Sequence, residues 1–313
     1  MATNIFMQAT LTSTEISTTN MADIIERVIS KSGDFFGVAC NTTDLVSEAC
    51  RRHDVGPLAA AALGRALTGN ALLAALLKDD QSVLLKFEGN GPLKKIITEA
   101  GYNGWTRGYV KEPHAELPLK EGQIDVAGGI GKAGLLTVVK NISINQKYPG
   151  TIPLYTSEVG DDLAYYLAQS EQTPSTLGLT VHLKPDGTVA AAGGFLIQSL
   201  PPADENSLTN IEKEIHNLPP LSELFISGKS PSDILSLLFK NVPHKKIHSK
   251  PLSYSCSCSH EKMEGALISL GREDLKQLLE TEERAEVCCE FCRHSYEFTK
   301  EDLTSLVARA TKE

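Results

Sequence analysis

Residues 56–78 (GPLAAAALGRALTGNALLAALLK) are apolar at nearly every position, and their Ala/Leu content predicts a long buried helix. Gly64 and Gly69 lower the helix propensity of that run, so they predict close packing on a neighbour. Upstream, FFGVAC within 34–40 reads as a short strand. Downstream, strand-like runs alternate with turns: SVLLKFEG (82–89), the Asn90-Gly91-Pro92 turn, LKKIITEA (93–100), WTRGYV, QIDVAGG, GLLTVVKNI and TIPLYT. DDLAYYLAQSEQ (161–172) predicts a helix, and residues 178–200 a hairpin closed by Asp186-Gly187. Short connections make antiparallel pairing the rule. The expected architecture is α+β: a mostly antiparallel sheet domain with helices over 21–203.

From Pro201 the pattern changes. Pro201-Pro202 and Pro219-Pro220 bracket a polar helix. Ser230-Pro231-Ser232-Asp233 places Ser at a helix N-cap, Pro at the first helical position and an acid at the third. Ile234, Leu235, Leu238 and Phe239 then form an apolar stripe. PHKKIHSKP (243–251) reads as a basic, Pro-flanked connector. Residues 204–250 are therefore a helical linker with no core of its own. Residues 251–313 form a third, small domain. Ser259 caps a helix with apolar positions Met263, Ala266, Leu267 and Leu270, ending at Gly271. A second helix over Glu273–Glu283, a strand at Tyr296-Glu297-Phe298 and a terminal helix follow. So little apolar content would be marginal without a metal or cross-link.

Composition narrows the function. Hydrophobic residues make up 41% and charged residues 22%, ordinary values for a globular chain. The net charge of −9 disfavours nucleic acid and anionic membrane as partners. Residues 251–313 alone hold eight Lys/Arg against thirteen Asp/Glu, which argues against a zinc-dependent nucleic-acid binder. The acidic run Glu280, Glu282, Glu283 and Glu286 reads as a solvated face. Residues 1–20 contain no Lys or Arg and no apolar core, so they read as a Thr-rich disordered arm rather than an export signal. Seven cysteines, an odd and clustered set, point to a reducing cytoplasm.

Four of these cysteines carry the chemistry. Cys256-Ser257-Cys258 and Cys289-Glu290-Phe291-Cys292 form two close thiol pairs separated by a helical stretch. That is the pattern of a four-sulfur site, and zinc is its natural occupant, one per chain. Close thiols are also one step from a disulfide, so the site is either permanently structural or a switch. His260 and His294 flank it, but four thiolates already fill a tetrahedron. Cys40 and Cys50 read as buried, inert thiols. Gly129-Ile130-Gly131-Lys132-Ala133-Gly134 spells G-x-G-x-x-G, but a β-branched run follows where a nucleotide site needs a helix. Neither G-x-S-x-G nor H-E-x-x-H occurs, so no catalytic or cofactor-binding set is expected and the chain is not read as an enzyme.

YSCSCSHEKMEGALISLG (254–271) and AEVCCEFCRHSYEF (285–298) resemble the zinc module of the heat shock protein 33 family, redox-regulated bacterial holdase chaperones. Arg107-Gly108-Tyr109, Tyr148-Pro149-Gly150, YYLAQSEQTPS (165–175) and AAGGFLIQSLP (191–201) resemble its N-terminal domain. The resemblance implies that Cys256, Cys258, Cys289 and Cys292 hold zinc when reduced. On oxidation they form disulfides, most simply Cys256–Cys258 and Cys289–Cys292, and activate an ATP-independent chaperone. It further implies unfolding proteins as clients and a homodimer as the active form. Residues 1–20 and Cys288 depart from the pattern, and Cys288 is expected not to be a ligand. A thiol-disulfide oxidoreductase is the alternative, separable by an insulin-reduction assay; it lacks the thioredoxin-like βαβ context around the C-x2-C pair.

Overall fold

The computed structural model describes residues 22–143, 146–200 and 204–310. The arm expected over 1–20 and Pro201-Pro202 lie outside them. Strands β1 (Ile24–Ser30) and β2 (Phe35–Asn41) lead into helices α1 (Thr43–His53) and α2 (Pro57–Ala74). Next come β3 (Ser82–Gly89), β4 (Lys95–Gly101), β5 (Trp105–Val110), the short α3 (Val126–Ile130), β6 (Gly134–Ser143) and β7 (Gln146–Pro153). Helix α4 (Val159–Ser170) precedes the hairpin β8 (Ser175–Leu183) and β9 (Val189–Ser199). Three helices follow, α5 (Glu205–His216), α6 (Leu221–Ile226) and α7 (Pro231–Leu238), and then β10 (His244–Pro251) and β11 (Ser253–Tyr254). The chain finishes with α8 (His260–Ile268), α9 (Arg272–Thr281), β12 (Arg284–Cys288), β13 (Ser295–Thr299) and α10 (Lys300–Arg309).

The strands form two large sheets and one small ribbon. The order is β10-β1-β2-β9-β8 in the first sheet, β11-β5-β4-β3-β6-β7 in the second, and β12-β13 in the ribbon. Every pairing is antiparallel except β11 with β5. The α+β architecture and the antiparallel rule stand. Helix α2 lies between the large sheets, touching β4 and β5 on one side and β8 and β9 on the other. This is why its sequence is apolar all round. The glycines expected to mark close packing do so. A Cβ on Gly64 would lie 2.7 Å from Val46 and Val181 atoms, and one on Gly69 2.5 Å from Leu163.

Strand β2 is buried at every position because its sheet is covered on both faces. One face meets α2. Helices α5, α6 and α7 cover the other, where Ile211, Phe225, Ile234, Leu235, Leu238 and Phe239 pack on Val28, Phe35, Ala39, Ala191, Phe195 and Ile197. Gly37 and Gly193 make seats for the two phenylalanines. A Cβ on Gly37 would meet the Phe239 ring at 2.6 Å, and one on Gly193 the Phe225 ring at 2.5 Å. The predicted cap of α7 is a full capping box between Ser230 and Asp233. Each large apolar side chain buried here contributes about 1.5–3 kcal/mol. The linker helices are thus held by the sheet.

Three expectations need correcting. The segment 243–251, read as a connector, is largely strand β10, paired along β1 with Lys246 bonded to Glu26 at 2.6 Å. Only Ile247 in it is a large apolar residue, so no alternation announces the strand; an available edge creates it. QIDVAGG is not a strand but runs into α3, where the Asp125 side chain accepts from Gly128 N. Helix α8 stops at Ile268, and Leu270 is 53% exposed rather than part of an apolar stripe; Leu267 alone of the predicted set is buried. The glycine-rich run at 129–134 takes in the end of α3 and the start of β6, so no helix begins on it.

Candidate metal and redox centre

Two local structures deliver the four cysteines. Cys256 and Cys258 follow β11, which is held parallel to β5 through Ser253↔Trp105 and Tyr254↔Thr106. The next residue, Ser259, starts α8 by accepting from Lys262 N at 3.3 Å. Cys289 and Cys292 occupy the turn between β12 and β13. There Arg293 N donates to Cys289 O at 2.8 Å and Cys289 N donates to His294 O at 2.9 Å, with Arg293 at φ +61°. The four sulfurs lie within 4.8 Å of one another. Cys256 Sγ is 3.8 Å from Cys289 Sγ, and Cys258 Sγ is 3.3 Å from Cys292 Sγ. A tetrahedral ion with metal–sulfur bonds of about 2.3 Å sets its sulfurs about 3.8 Å apart. The donor set and spacing can hold a metal ion, and an all-sulfur tetrahedron fits zinc.

Hydrogen bonds and burial set the thiols' ionisation. Burial opposes the thiolate at Cys258, but bonds from Tyr296, whose hydroxyl lies 3.1 Å away, and from neighbouring thiols outweigh it and bring the thiol down to about 7. The same contact pushes Tyr296 up to about 12. At Cys289 and Cys292 burial dominates and pushes the thiols up. The bonds at Cys258 therefore favour its thiolate, the form that binds metals and reacts with oxidants.

The other predicted residues lie where they can be told apart from this group. Cys288 is exposed at the end of β12, with its sulfur 3.9 Å from Cys289 O and outside the four-sulfur group. His260 pairs with Glu264 at 3.3 Å and packs on Phe298, while His294 packs edge-on against Tyr296. Cys40 is fully buried in β2 and Cys50 half-buried in α1; burial raises both thiols, Cys50 to about 12. Glu280, Glu282, Glu283 and Glu286 are exposed.

The neighbours that sequence reasoning missed come from the sheet body. The Phe291 ring, inside the C-x2-C turn, lies 4.3 Å from the Arg107 guanidinium and edge-on to Tyr109 at 5.4 Å. Its carbonyl accepts from the Tyr254 hydroxyl and lies 3.0 Å from His53 Nε2. Tyr254 also reaches Gly108 O at 3.0 Å, beneath the Arg52 guanidinium. Arg107 Nη1 donates to Cys256 Sγ at 3.3 Å. Although burial opposes the guanidinium charge, Glu99 and Cys256 hold Arg107 protonated, above its ordinary value. In the sequence, Arg107-Gly108-Tyr109 belongs to the strand-like run WTRGYV and to the family resemblance, and neither names its target.

The family profile described as Hsp33 protein matches residues 23–299. The chain belongs to the Hsp33 family. It is 60% identical over 289 residues to a 33 kDa chaperonin from Desulfotalea psychrophila, covering 92% of this chain and 98% of that one. It is 48% identical over 286 residues to a 33 kDa chaperonin from Geobacter sulfurreducens, covering 91% and 95%. Among solved structures, the crystal structure of the 33 kDa chaperonin (heat shock protein 33 homologue) from Thermotoga maritima superposes with a TM-score of 0.85. The identity there is 34%, over 92% of this chain and 99% of that chain. The Hsp33 resemblance seen in the sequence is thereby established over nearly its whole extent. Among the described residues, no helix is long and apolar enough to cross a membrane.

Proposed function

We propose that this chain is a redox-regulated, ATP-independent holdase of the cytoplasm, resting with zinc on Cys256, Cys258, Cys289 and Cys292 and active when they are disulfides. The observation that carries the reading is four sulfurs within 4.8 Å of one another in a member of the Hsp33 family. Bound zinc would hold the two thiol pairs together and keep them anionic; structural zinc contributes on the order of 10–16 kcal/mol. The parts act as a sheet body up to residue 203, a linker over 204–250 and a cysteine module over 251–313.

Oxidation removes the ligands. Each thiolate pair passes two electrons to one hydrogen peroxide, which takes up two protons from solvent and leaves as two waters while one S–S bond forms. The expected pairs are Cys256–Cys258 and Cys289–Cys292, and their sulfurs no longer serve as anionic ligands. Disulfides between near neighbours close tiny loops and return little stability. The module then unfolds, and the linker helices, joined to it through β10 and β11, are released from the sheet. Their release uncovers Val28, Phe35, Phe195 and Ile197 on the sheet and Ile234, Leu235, Leu238 and Phe239 on the helices. Unfolding proteins bind these faces through their own apolar segments. The active form is a homodimer. Neither nucleic acid nor membrane is a partner.

Light scattering from a chemically unfolded client decides the matter. Oxidised protein should suppress aggregation without ATP, and reduced, zinc-loaded protein should not. Equal suppression in both states would leave the cysteines a purely structural role.

A further inference from the structure

We propose that Arg107 belongs to the cysteine site: a positioning residue that senses the charge on the Cys256 sulfur and so ties the cysteine module to β5. The proposal rests on the functional reading above and assigns its coupling step to one contact. Arg107 comes from the second sheet, far in sequence from the module. Its side chain is 17% exposed and that of Glu99 is 14% exposed. Glu99 takes Nε and Nη2 of the guanidinium at 3.0 and 2.6 Å. This fork fixes the plane of the group and leaves Nη1 pointing at Cys256 Sγ, 3.3 Å away. Phe291 packs on one part of the guanidinium at 4.3 Å, and Trp105 lies 5.8 Å from it. One cation on β5 therefore touches both halves of the site, a sulfur of the C-x-C pair and the ring inside the C-x2-C turn.

The strength of this contact depends on what Cys256 is. As a thiolate or metal ligand its sulfur is anionic, and the bond from Arg107 is charge-assisted. As half of a disulfide the sulfur is neutral and a weak acceptor. Disulfide formation thus removes part of the docking energy at the moment the module loses its zinc. Tyr296 offers the contrast. It also donates to a cysteine sulfur, Cys258, but from β13 inside the module, so it makes no connection to the body.

The test compares full-length wild type, Arg107→Met, Arg107→Lys and Tyr296→Phe, each reduced with zinc and fully oxidised. Zinc transfer to a chelator is read alongside hydrogen exchange at Tyr254 and Phe291, with the β3 and β6 amides reporting on the sheet. Reduced R107M should hold zinc about ten- to a hundredfold more weakly and lose protection at Tyr254 and Phe291, with β3 and β6 unchanged. R107K should recover part of both, since an ammonium cannot fork between Glu99 and sulfur; it decides the case if R107M loses its sheet protection. Y296F should weaken zinc binding but keep Tyr254 and Phe291 protected. The difference between R107M and wild type should vanish once both are oxidised. Unchanged zinc retention and protection in reduced R107M would overturn the proposal. So would a difference of the same size in both redox states, or Y296F undocking as far as R107M. Absence of chaperone activity after oxidation sinks the functional reading instead, whatever this comparison gives.

Discussion

The sheet body and the cysteine module solve the same problem with very different means. Helix α2 buries 16 of its 18 residues between two sheets, within a core that runs from Ile25 to Leu252. Among the described residues, the module's own core outside its cysteines is Leu267, Leu275, Ala285, Phe298, Leu303, Leu306 and Ala310. A core of that size supplies a few kcal/mol at most. The body is held by apolar area, which oxidants do not touch. On the proposed function, the module needs its four sulfurs to stay together, so its stability can be withdrawn by chemistry. Between them lies the linker, whose helices are buried on the body but contribute no core alone.

Removing the sulfurs should break the comparison most completely. Cys256→Ser or Cys292→Ser should lower zinc affinity by orders of magnitude and expose the amides of α8–α10, while β3, β4 and β6 stay protected. Cys40→Ser and Cys50→Ser should leave zinc content intact. Metal analysis with hydrogen exchange checks both, and full zinc occupancy in a quadruple Cys→Ser variant would sink the site.

A charge in the linker should have the next largest effect. Leu238→Glu or Phe239→Glu places a carboxylate where the side chain is now at most 1% exposed, a change worth several kcal/mol. The linker should open while the cysteines remain reduced and zinc-bound, giving partial chaperone activity by light scattering. A reduced variant with wild-type exchange over α5–α7 and no activity would uncouple linker from function.

Overpacking the body gives the reverse experiment. Gly69→Leu drives a side chain into Leu163 and should destabilise the body by about 1–3 kcal/mol. The midpoint of denaturant unfolding should fall with zinc content unchanged. Loss of zinc in that variant would mean that the two regions fold as one unit.

The smallest change is expected from Cys288→Ser. Zinc content and stability should match wild type, with at most a different rate or pattern of disulfide formation by mass mapping. Zinc lost in this variant but kept in Cys289→Ser would show the wrong thiol of the adjacent pair to have been chosen.

What could be read from the sequence follows the same division. Helix α2, the β8–β9 hairpin and the Ser230 cap were legible because each is set by its own residues: apolar content, a turn dipeptide, a capping side chain. The cysteine cluster was legible because spacing alone constrains a four-sulfur site. Strand β10 was not, since its pairing is decided by β1. Helix α3 was mistaken for a strand because Ile124 and Val126 suggest β structure, while Asp125 acts as a cap. Arg107 and Gly108 gave no warning of meeting Tyr254 and Phe291, because β5 is more than a hundred residues from either in the chain.

The segment from His244 to Tyr254 runs along the edge of the first large sheet as β10 and then joins the second as β11. Seven residue pairs hold β10 to β1, whereas two hold β11 to β5. A module that lets go of β5 therefore stays on a leash whose far end is still fastened, and only Ser255 separates β11 from Cys256. Its return is intramolecular, at an effective concentration in the millimolar range typical of short tethers. Re-docking after reduction should follow first-order kinetics and be indifferent to dilution for as long as β10 remains zipped to β1.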